Sequence, residues 1–215
     1  MNVAAVIFDL DGTLVDSIGG ITPALNAALA AAGHPPVTTA RVRTIVGDGP
    51  RLLCRRALGE AGNDAAVLER VLRAFREGYA AAPLRDTRPY PGVPGLLARL
   101  APRPLGVCTN KGRRLAALLL EGLGLQPYLA GLVAEDDLPW RKPDPRPLLA
   151  LAERLGAAPA ATLVVGDGLQ DLQAARAAGM PCCAVLQGYT DPALLRAADP
   201  DLVLETIAEL PERLR

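Results

Sequence analysis

The chain has 215 residues, half of them hydrophobic, which is enough for one well-packed core and a smaller appended unit. Its 23 basic residues balance its 23 acidic ones, and neither sign forms a long block. This pattern argues against nucleic-acid and membrane partners and favours a small ligand. The sequence shows neither a signal-peptide pattern nor an apolar run of membrane-spanning length, so we expect a cytoplasmic protein.

The first predicted element is a strand at residues 3–8, a continuous apolar run typical of a strand covered on both faces. Similar short runs follow along the chain, with helix-length segments between most of them, at residues 104–108, 131–134, 162–165, 181–186 and 201–204. This alternation predicts an α/β fold with a Rossmann-like parallel-sheet core and helices on both faces.

Residues 17–83 interrupt the alternation because they contain only helical patterns, such as the apolar positions at four-residue spacing over residues 67–75. A proline-rich segment at residues 88–92 then resists helix formation. The sequence therefore predicts an inserted all-helical cap domain over residues 17–83, with a hinge at its edges. Residues 1–16 and 84–215 form the predicted core.

Neither the cysteines nor the histidine show a metal-binding pattern. The four cysteines lack metal-type spacing, and the adjacent pair Cys182 and Cys183 would point to opposite faces of a strand. Buried free thiols are the expected state. His34 is the only histidine and falls in a predicted loop between cap helices, so we expect it to have a structural or solvent-exposed role.

Asp9 and Asp11 follow the first predicted strand, where open α/β sheets bind their ligands. Both carboxylates point the same way on an extended segment, and Gly12 and Thr13 allow a turn that aims backbone N–H groups at an anion. One carboxylate can attack phosphorus, and the other can protonate the leaving oxygen and later deprotonate water. We assign these roles to Asp9 and Asp11; a calcium loop would need further oxygen ligands, which are absent.

Residues 9–17, DLDGTLVDS, resemble the first motif of phosphatases of the haloacid dehalogenase superfamily. The family's second motif, a hydroxyl residue that ends the next core strand, is matched by Thr109. Its third motif, a lysine in a Lys-Pro-x-Pro pattern, is matched by Lys142, and its fourth motif by Asp167 and Asp171. Many relatives have a serine where this chain has Gly168.

The resemblance implies a role for each motif. The Thr109 hydroxyl and the amides of the following helix would bind the oxygens of the transferring phosphoryl group. Lys142 would neutralise the attacking carboxylate and the phosphate as a compact cation, which explains one of the only two lysines in the chain, the other being Lys111.

The resemblance also implies a Mg²⁺ ion. Asp9, the backbone carbonyl of Asp11 and Asp167 are a sensible share of its octahedral oxygen coordination. Asp171 is expected just outside this direct set, and an ordinary acid in the first turn of a helix remains an alternative.

The predicted cap stretch around residues 46–58 resembles that of phosphoglycolate phosphatases, a likeness that covers essentially the whole chain and implies hydrolysis of 2-phosphoglycolate to glycolate and phosphate. Gly49 would let its loop approach a small ligand, and Arg51 would offer a fork to the substrate carboxylate or else be a solvated helix residue. Asn110 and Lys111 lie beside the phosphate loop, where Lys111 would add to the positive field or anchor that carboxylate.

Several other functions stay open. A phosphatase for a sugar phosphate or pyrophosphate, a β-phosphoglucomutase-like phosphotransferase and a non-catalytic phosphate-accepting regulatory protein are the alternatives. A phosphonate hydrolase would need a lysine in its cap, which has none, and a dehalogenase would need neither Asp11 nor Mg²⁺. The oligomeric state, monomer or homodimer, is also open.

Overall fold

Eight strands are present in the computed structural model, which describes residues 3–214. They are β1 (Ala5–Phe8), β2 (Val15–Asp16), β3 (Arg88–Pro89), β4 (Leu105–Cys108), β5 (Gly131–Val133), β6 (Thr162–Gly166), β7 (Cys182–Val185) and β8 (Leu202–Leu204). Six form one parallel sheet in the order β5-β4-β1-β6-β7-β8, while β2 and β3 pair as an antiparallel ribbon. The six apolar runs thus form the predicted parallel sheet, which confirms the α/β fold.

Ten α-helices accompany the strands within the described residues. They are α1 (Ile18–Ala31), α2 (Thr39–Ile45), α3 (Pro50–Leu58), α4 (Ala65–Ala81), α5 (Val93–Leu100), α6 (Arg113–Gly122), α7 (Arg146–Arg154), α8 (Leu169–Ala177), α9 (Pro192–Ala197) and α10 (Leu210–Arg213). Side chains cap three of them by accepting hydrogen bonds from backbone amides: Thr38 caps α2, Asp64 caps α4 and Asp191 caps α9. None of the helices in residues 3–214 combines the length and apolar character that a membrane span requires.

The two faces of the sheet bury different residues, because side chains alternate along a strand. On one face, Val6 and Phe8 of β1 belong to a hydrophobic cluster with residues of α5, α6 and α10; on the other, Ala5 and Ile7 pack with residues of α7 and α8. Cys183 belongs to the first cluster and Cys182 to the second. The predicted opposite orientation of the cysteine pair is confirmed, and all four cysteines are buried and free.

A third hydrophobic cluster is formed mainly by α1–α4, which follow β2 and precede β3 along the chain. Val71, Phe75 and Tyr79 on one face of α4 are buried in it, with Val67 partly buried beside them. Leu115 of α6 also joins this cluster. The helical segment therefore has a core of its own, and both ends of the segment meet at the ribbon where the sequence predicts a hinge.

The packing of the third cluster predicts that two leucine variants differ strongly in their free energy of unfolding. Leu25 in α1 has no exposed surface, whereas Leu194 in α9 is 53% exposed. We expect Leu25→Ala to lower the free energy of unfolding by about 2–5 kcal/mol, because it leaves a cavity in that cluster. Leu194→Ala should change it by less than about 0.5 kcal/mol. Urea denaturation measures both, and equal midpoints would contradict this packing.

Candidate active site

The carboxyl ends of three neighbouring strands bring the predicted motifs together. Asp9 follows β1, Thr109 follows β4 and Asp167 follows β6, and the register places Phe8 beside both Val107 and Val165. The three side chains consequently lie at the same edge of the sheet, and all three residues are buried. This edge is where open α/β sheets hold their ligands.

Lys142 lies at the centre of a buried ion-pair network. Its ammonium nitrogen is 2.8 Å from Asp9 Oδ1 and 2.6 Å from Asp171 Oδ1, and it donates to the carbonyl oxygen of Cys108 at 2.6 Å. Burial lowers the pKa of Lys142, but the attraction of Asp171 and Asp9 outweighs burial, so its pKa is raised overall. The lysine is therefore charged and in contact with the predicted nucleophile.

Three buried carboxylates form a group that could hold a metal ion. Oxygen atoms of Asp9, Asp167 and Asp171 all lie within 4.8 Å of one another. Burial raises the pKa of Asp167 to about 8, with Asp9 and Asp171 adding to the shift. Burial also raises the pKa of Asp9 to about 6, against the opposing attraction of Lys142. Oxygen-only ligands and excess negative charge fit Mg²⁺, which would offset the repulsion between these acids.

Asp171 combines two roles that the sequence left as alternatives. Its Oδ2 accepts a hydrogen bond from the Gly168 amide at 3.0 Å, as an acid in the first turn of α8, while its Oδ1 contacts Lys142. A Cβ on Gly166 would lie 2.4 Å from the Asp171 carboxyl carbon, so a glycine is needed there. Asp171 thus belongs to the carboxylate group and also orients Lys142.

The Asp11 carboxylate is not part of this group and binds Lys111. The lysine ammonium lies 3.0 and 2.8 Å from its two oxygens and 4.7 Å from the centre of the Tyr79 ring, and the Ser17 hydroxyl donates to Asp11 Oδ1. Lys111 was expected to add to the field around phosphate or to anchor a substrate carboxylate. Instead, its charge is engaged by the predicted general acid, whose orientation it fixes together with Ser17.

The expectation that Gly12 and Thr13 aim their amides at an anion is wrong. The Gly12 amide donates to the carbonyl of Val15 at 2.8 Å and the Thr13 amide to that of Leu10 at 3.3 Å, so the turn uses both. The Thr13 hydroxyl donates to Asp167 Oδ1 at 2.9 Å, and a Cβ on Gly12 would lie 2.2 Å from Asp167 Oδ2. The turn therefore positions the Asp167 carboxylate, and its own two amides are not free to bind phosphate.

Asn110 lines the cavity, but both hydrogens of its side-chain amide are donated to backbone groups. Its amide group donates to the carbonyls of Gly47 and Lys142, both at 3.0 Å, and its oxygen accepts from the Lys142 amide at 3.1 Å. These bonds leave the side chain no free donor for a phosphate oxygen, and a contact between Asn110 and substrate stays a prediction. Asn110 orients the segment of Lys142 and joins it to the loop between α2 and α3.

The Thr109 hydroxyl can still donate a hydrogen bond to a ligand, whereas one of the backbone amides near it is already hydrogen-bonded within the protein. The Thr109 oxygen accepts from the Lys111 amide at 3.2 Å, and its hydrogen has no acceptor among residues 3–214. The Arg113 amide at the start of α6 donates to Asp136 at 2.6 Å. Fewer amides of α6 are therefore free to bind phosphate than the sequence predicts, whereas the Thr109 hydroxyl remains able to donate.

A cavity of about 350 Å³ lies between this edge of the sheet and the helices α1–α4. From the sheet side it is lined by Asp9, Asp11, Thr109 and Lys111, among others, and from the helical side by residues that include Gly49, Leu53, Phe75, Arg76 and Tyr79. A Cβ on Gly49, where φ is +90°, would lie 3.2 Å from the Asn110 carbonyl oxygen. The glycine loop thus approaches the core closely, and its predicted approach to a small ligand stays a prediction.

Arg51 does not reach this cavity. Its side chain is 47% exposed and pairs with Glu69, and neither residue is part of the cavity lining. The structure therefore contradicts the expectation that Arg51 meets the substrate and agrees with the alternative of a solvated helix residue. His34 also lies outside the lining, as expected.

Tyr189 is the main site residue that sequence reasoning missed. Its backbone amide donates to Asp167 Oδ2 at 2.9 Å, and its hydroxyl accepts from the Ser17 amide at 2.9 Å and contacts Asp16 Oδ1 at 3.2 Å. No motif marks Tyr189, but it follows β7, the neighbour of β6 in the sheet. Strand order is therefore the signal that could have found it.

Comparison with known proteins adds a family and several relatives. Residues 3–179 match the family model of haloacid dehalogenase-like hydrolases. A protein from Rhodospirillum rubrum named phosphoglycolate phosphatase is 45% identical over 86% of this chain and 80% of its own length. A protein of the same name from Chromobacterium violaceum is 42% identical over 97% of this chain and 95% of its own length. A crystal structure from Haemophilus somnus, described as a predicted phosphoglycolate phosphatase, has a TM-score of 0.94 at 27% identity and covers 100% of this chain and 99% of that one.

Two glycine variants test the turn that positions Asp167. Gly12 and Gly33 both have positive φ, but nothing lies within 4 Å of a Cβ built on Gly33. Either change to alanine should cost about 1–2 kcal/mol of stability for the backbone alone. Only Gly12→Ala should also displace Asp167 and lower Mg²⁺ affinity by about tenfold or more. Titration calorimetry measures the affinity; an equal affinity for both variants would contradict this placement of the turn.

Proposed function

Because the chain belongs to the haloacid dehalogenase-like hydrolases, we propose that it is a magnesium-dependent phosphomonoester hydrolase with Asp9 as its nucleophile. One observation carries this proposal: Asp9 lies in the buried carboxylate group, is paired with the Lys142 ammonium and lines the cavity together with Asp11. A nucleophile, a charge partner and a second carboxylate for proton transfer thus meet in a cavity of metabolite size.

The reaction proceeds in two steps in this proposal. A carboxylate oxygen of Asp9 attacks phosphorus, the bond from phosphorus to the leaving oxygen breaks, and Asp11 gives that oxygen a proton. Water then attacks the aspartyl-phosphate while Asp11 takes a proton from it, which releases phosphate, restores the Asp9 carboxylate and returns Asp11 to its protonated form. Lys142 holds Asp9 Oδ1 and offsets charge on the phosphoryl group, and the Thr109 hydroxyl donates to its oxygens.

Asp9, Asp167 and the backbone carbonyl of Asp11 would hold Mg²⁺, with Asp171 beside them. When bound, the ion would neutralise negative charge that develops on the phosphoryl oxygens. This chain's own residues support the proposal of a cation, because three buried carboxylates face a single ammonium.

The proposed substrate is 2-phosphoglycolate, which would yield glycolate and phosphate. Two relatives at 45% and 42% identity carry the name phosphoglycolate phosphatase, and a cavity of about 350 Å³ suits a small phosphorylated metabolite. In this proposal residues 17–83 act as a cap that closes over the site and excludes water.

The alternatives are hydrolysis of a sugar phosphate or of pyrophosphate, and phosphoryl transfer of the mutase type. The cytoplasmic location and the monomeric or dimeric state stay predictions.

Replacing the proposed nucleophile is the direct test of this function. We expect wild-type protein to release phosphate from 2-phosphoglycolate faster than from glucose phosphate or pyrophosphate, and EDTA to abolish release. Asp9→Asn should lower kcat by roughly a thousandfold or more, since an amide cannot form the aspartyl-phosphate.

Asp199→Asn is the matched control, because Asp199 is exposed and its positive φ suits asparagine equally well. It should keep full activity. Phosphate release that persists in EDTA, or in Asp9→Asn at the wild-type rate, would refute the proposed mechanism.

The raised pKa values of the acids predict a pH dependence for metal binding. Before Mg²⁺ binds, the pKa of Asp9 is about 6 and that of Asp167 about 8, so lower pH keeps these acids protonated. Mg²⁺ requires the ionised acids and must displace their protons. The Mg²⁺ concentration for half-saturation should therefore fall as pH rises from about 6 to about 8 and level off above it. Titration calorimetry at several pH values checks this, and a pH-independent affinity would contradict it.

A further inference from the structure

The charges that line the cavity limit where a second anionic group of a substrate can bind. Its basic lining residues are Arg76, Lys111 and Arg114, while five acids, Asp9, Asp11, Glu77, Glu135 and Asp136, share the same cavity. Lys111 is already bound to both oxygens of Asp11. A carboxylate at the far end of a phosphate ester would therefore meet repulsion except near one of the two arginines.

Arg76 already holds a carboxylate inside this cavity. Its Nη2 lies 3.4 Å from Glu135 Oε2, and Arg141 Nη1 lies 3.9 Å from the other oxygen of the same group. Arg76 also precedes Tyr79 by one helical turn on α4, and Tyr79 packs against the Lys111 ammonium beside Asp11. The guanidinium is thus presented on the same helix face as a residue that adjoins the reacting groups.

The two partners of this ion pair differ in their exposure to solvent and in their other charged contacts. The side chain of Arg76 is 50% exposed, whereas that of Glu135 is 13% exposed and retains Arg141 as a second cation. At 3.4 Å the contact is longer than a well-formed charge-assisted hydrogen bond. Arg76 can accordingly exchange Glu135 for another carboxylate while Glu135 stays compensated by Arg141.

We propose that Arg76 determines specificity by binding the carboxylate of the substrate in exchange for Glu135. This inference rests on the proposed phosphatase function and names the cap residue that selects carboxylate-bearing phosphate esters. Glu135 acts as an internal competitor: it keeps Arg76 paired when no substrate is bound and weakens the binding of every carboxylate ligand. The guanidinium fork matches a carboxylate in two-point geometry, which a single ammonium such as Lys111 does not.

The alternative is that Arg76 and Glu135 form only a latch between the helical segment and the core. A latch and a substrate anchor predict different kinetics. Loss of either partner of a latch would act in the same direction and on all substrates. Loss of an anchor and loss of its competitor act in opposite directions, and only on substrates that carry the carboxylate.

The test compares 2-phosphoglycolate with ethyl phosphate, which replaces the carboxylate by a methyl group at similar size. Arg76→Gln should raise KM for 2-phosphoglycolate by about tenfold to a hundredfold, as expected for a lost hydrogen bond to a charged group. It should leave the KM for ethyl phosphate, and both kcat values, within about twofold of wild type. Glu135→Gln should lower KM for 2-phosphoglycolate at least twofold and leave ethyl phosphate unchanged.

Two further arginine variants complete the comparison. Arg70→Gln removes an exposed arginine from the same helix outside the cavity lining and should leave every constant unchanged. Arg114→Gln tests the other arginine in the lining. The inference is overturned if Arg114→Gln carries the selective loss, if Arg76→Gln affects both substrates equally or neither, or if Glu135→Gln does not lower KM. Absence of phosphate release by wild type from either substrate would refute the proposed function itself.

Discussion

Three buried carboxylates around a single ammonium are the constraint on which the rest of this structure depends. Such a group is unfavourable in a protein interior unless cations and hydrogen bonds compensate it. Lys142 supplies one charge, and glycines leave room for the acids: a Cβ on Gly12 or Gly188 would lie 2.2 Å from an atom of Asp167, and one on Gly166 would lie 2.4 Å from Asp171. These glycines lie in the loop after β1, at the end of β6 and in the loop after β7, so the backbone at this edge of the sheet leaves room for the acids.

Hydrogen bonds connect the buried carboxylate group to the helical segment α1–α4. Tyr189 binds Asp167 with its backbone and the chain that enters α1 with its hydroxyl, while Asn110 joins the backbone of Lys142 to that of Gly47. The side chain of Gln170 fills the space beside Gly168 and also approaches Gly47. A movement of α1–α4 would thus be transmitted to the buried carboxylate group, which includes the proposed nucleophile. A Cβ on Gly168 would lie 2.0 Å from the Gln170 side chain, so the glycine leaves room for this packing.

The sequence was sufficient for the sheet and for the grouping of Asp9, Thr109, Lys142 and Asp167. Continuous apolar runs predict buried parallel strands whose ends share an edge, which places Asp9, Thr109 and Asp167, whereas Lys142 follows from the resemblance to the family's third motif. Which hydrogen bonds each group makes there was not predictable. The amides of the turn at residues 12–13, the Asn110 amide and the Lys111 ammonium all bind groups of the protein that a linear motif does not reveal.

The choice between arginines shows the same limit. Arg51 and Arg76 both lie on helices of the predicted cap, and only the packing of α3 and α4 onto the core decides that Arg76 lines the cavity while Arg51 pairs with Glu69. One measurement tests the central claim most directly: acid-quenching the enzyme during turnover and mapping the phosphorylated peptide by mass spectrometry. We expect phosphate on Asp9, and none in Asp9→Asn. Phosphate on Asp11 or on another residue, or turnover without a phosphorylated enzyme, would contradict the account.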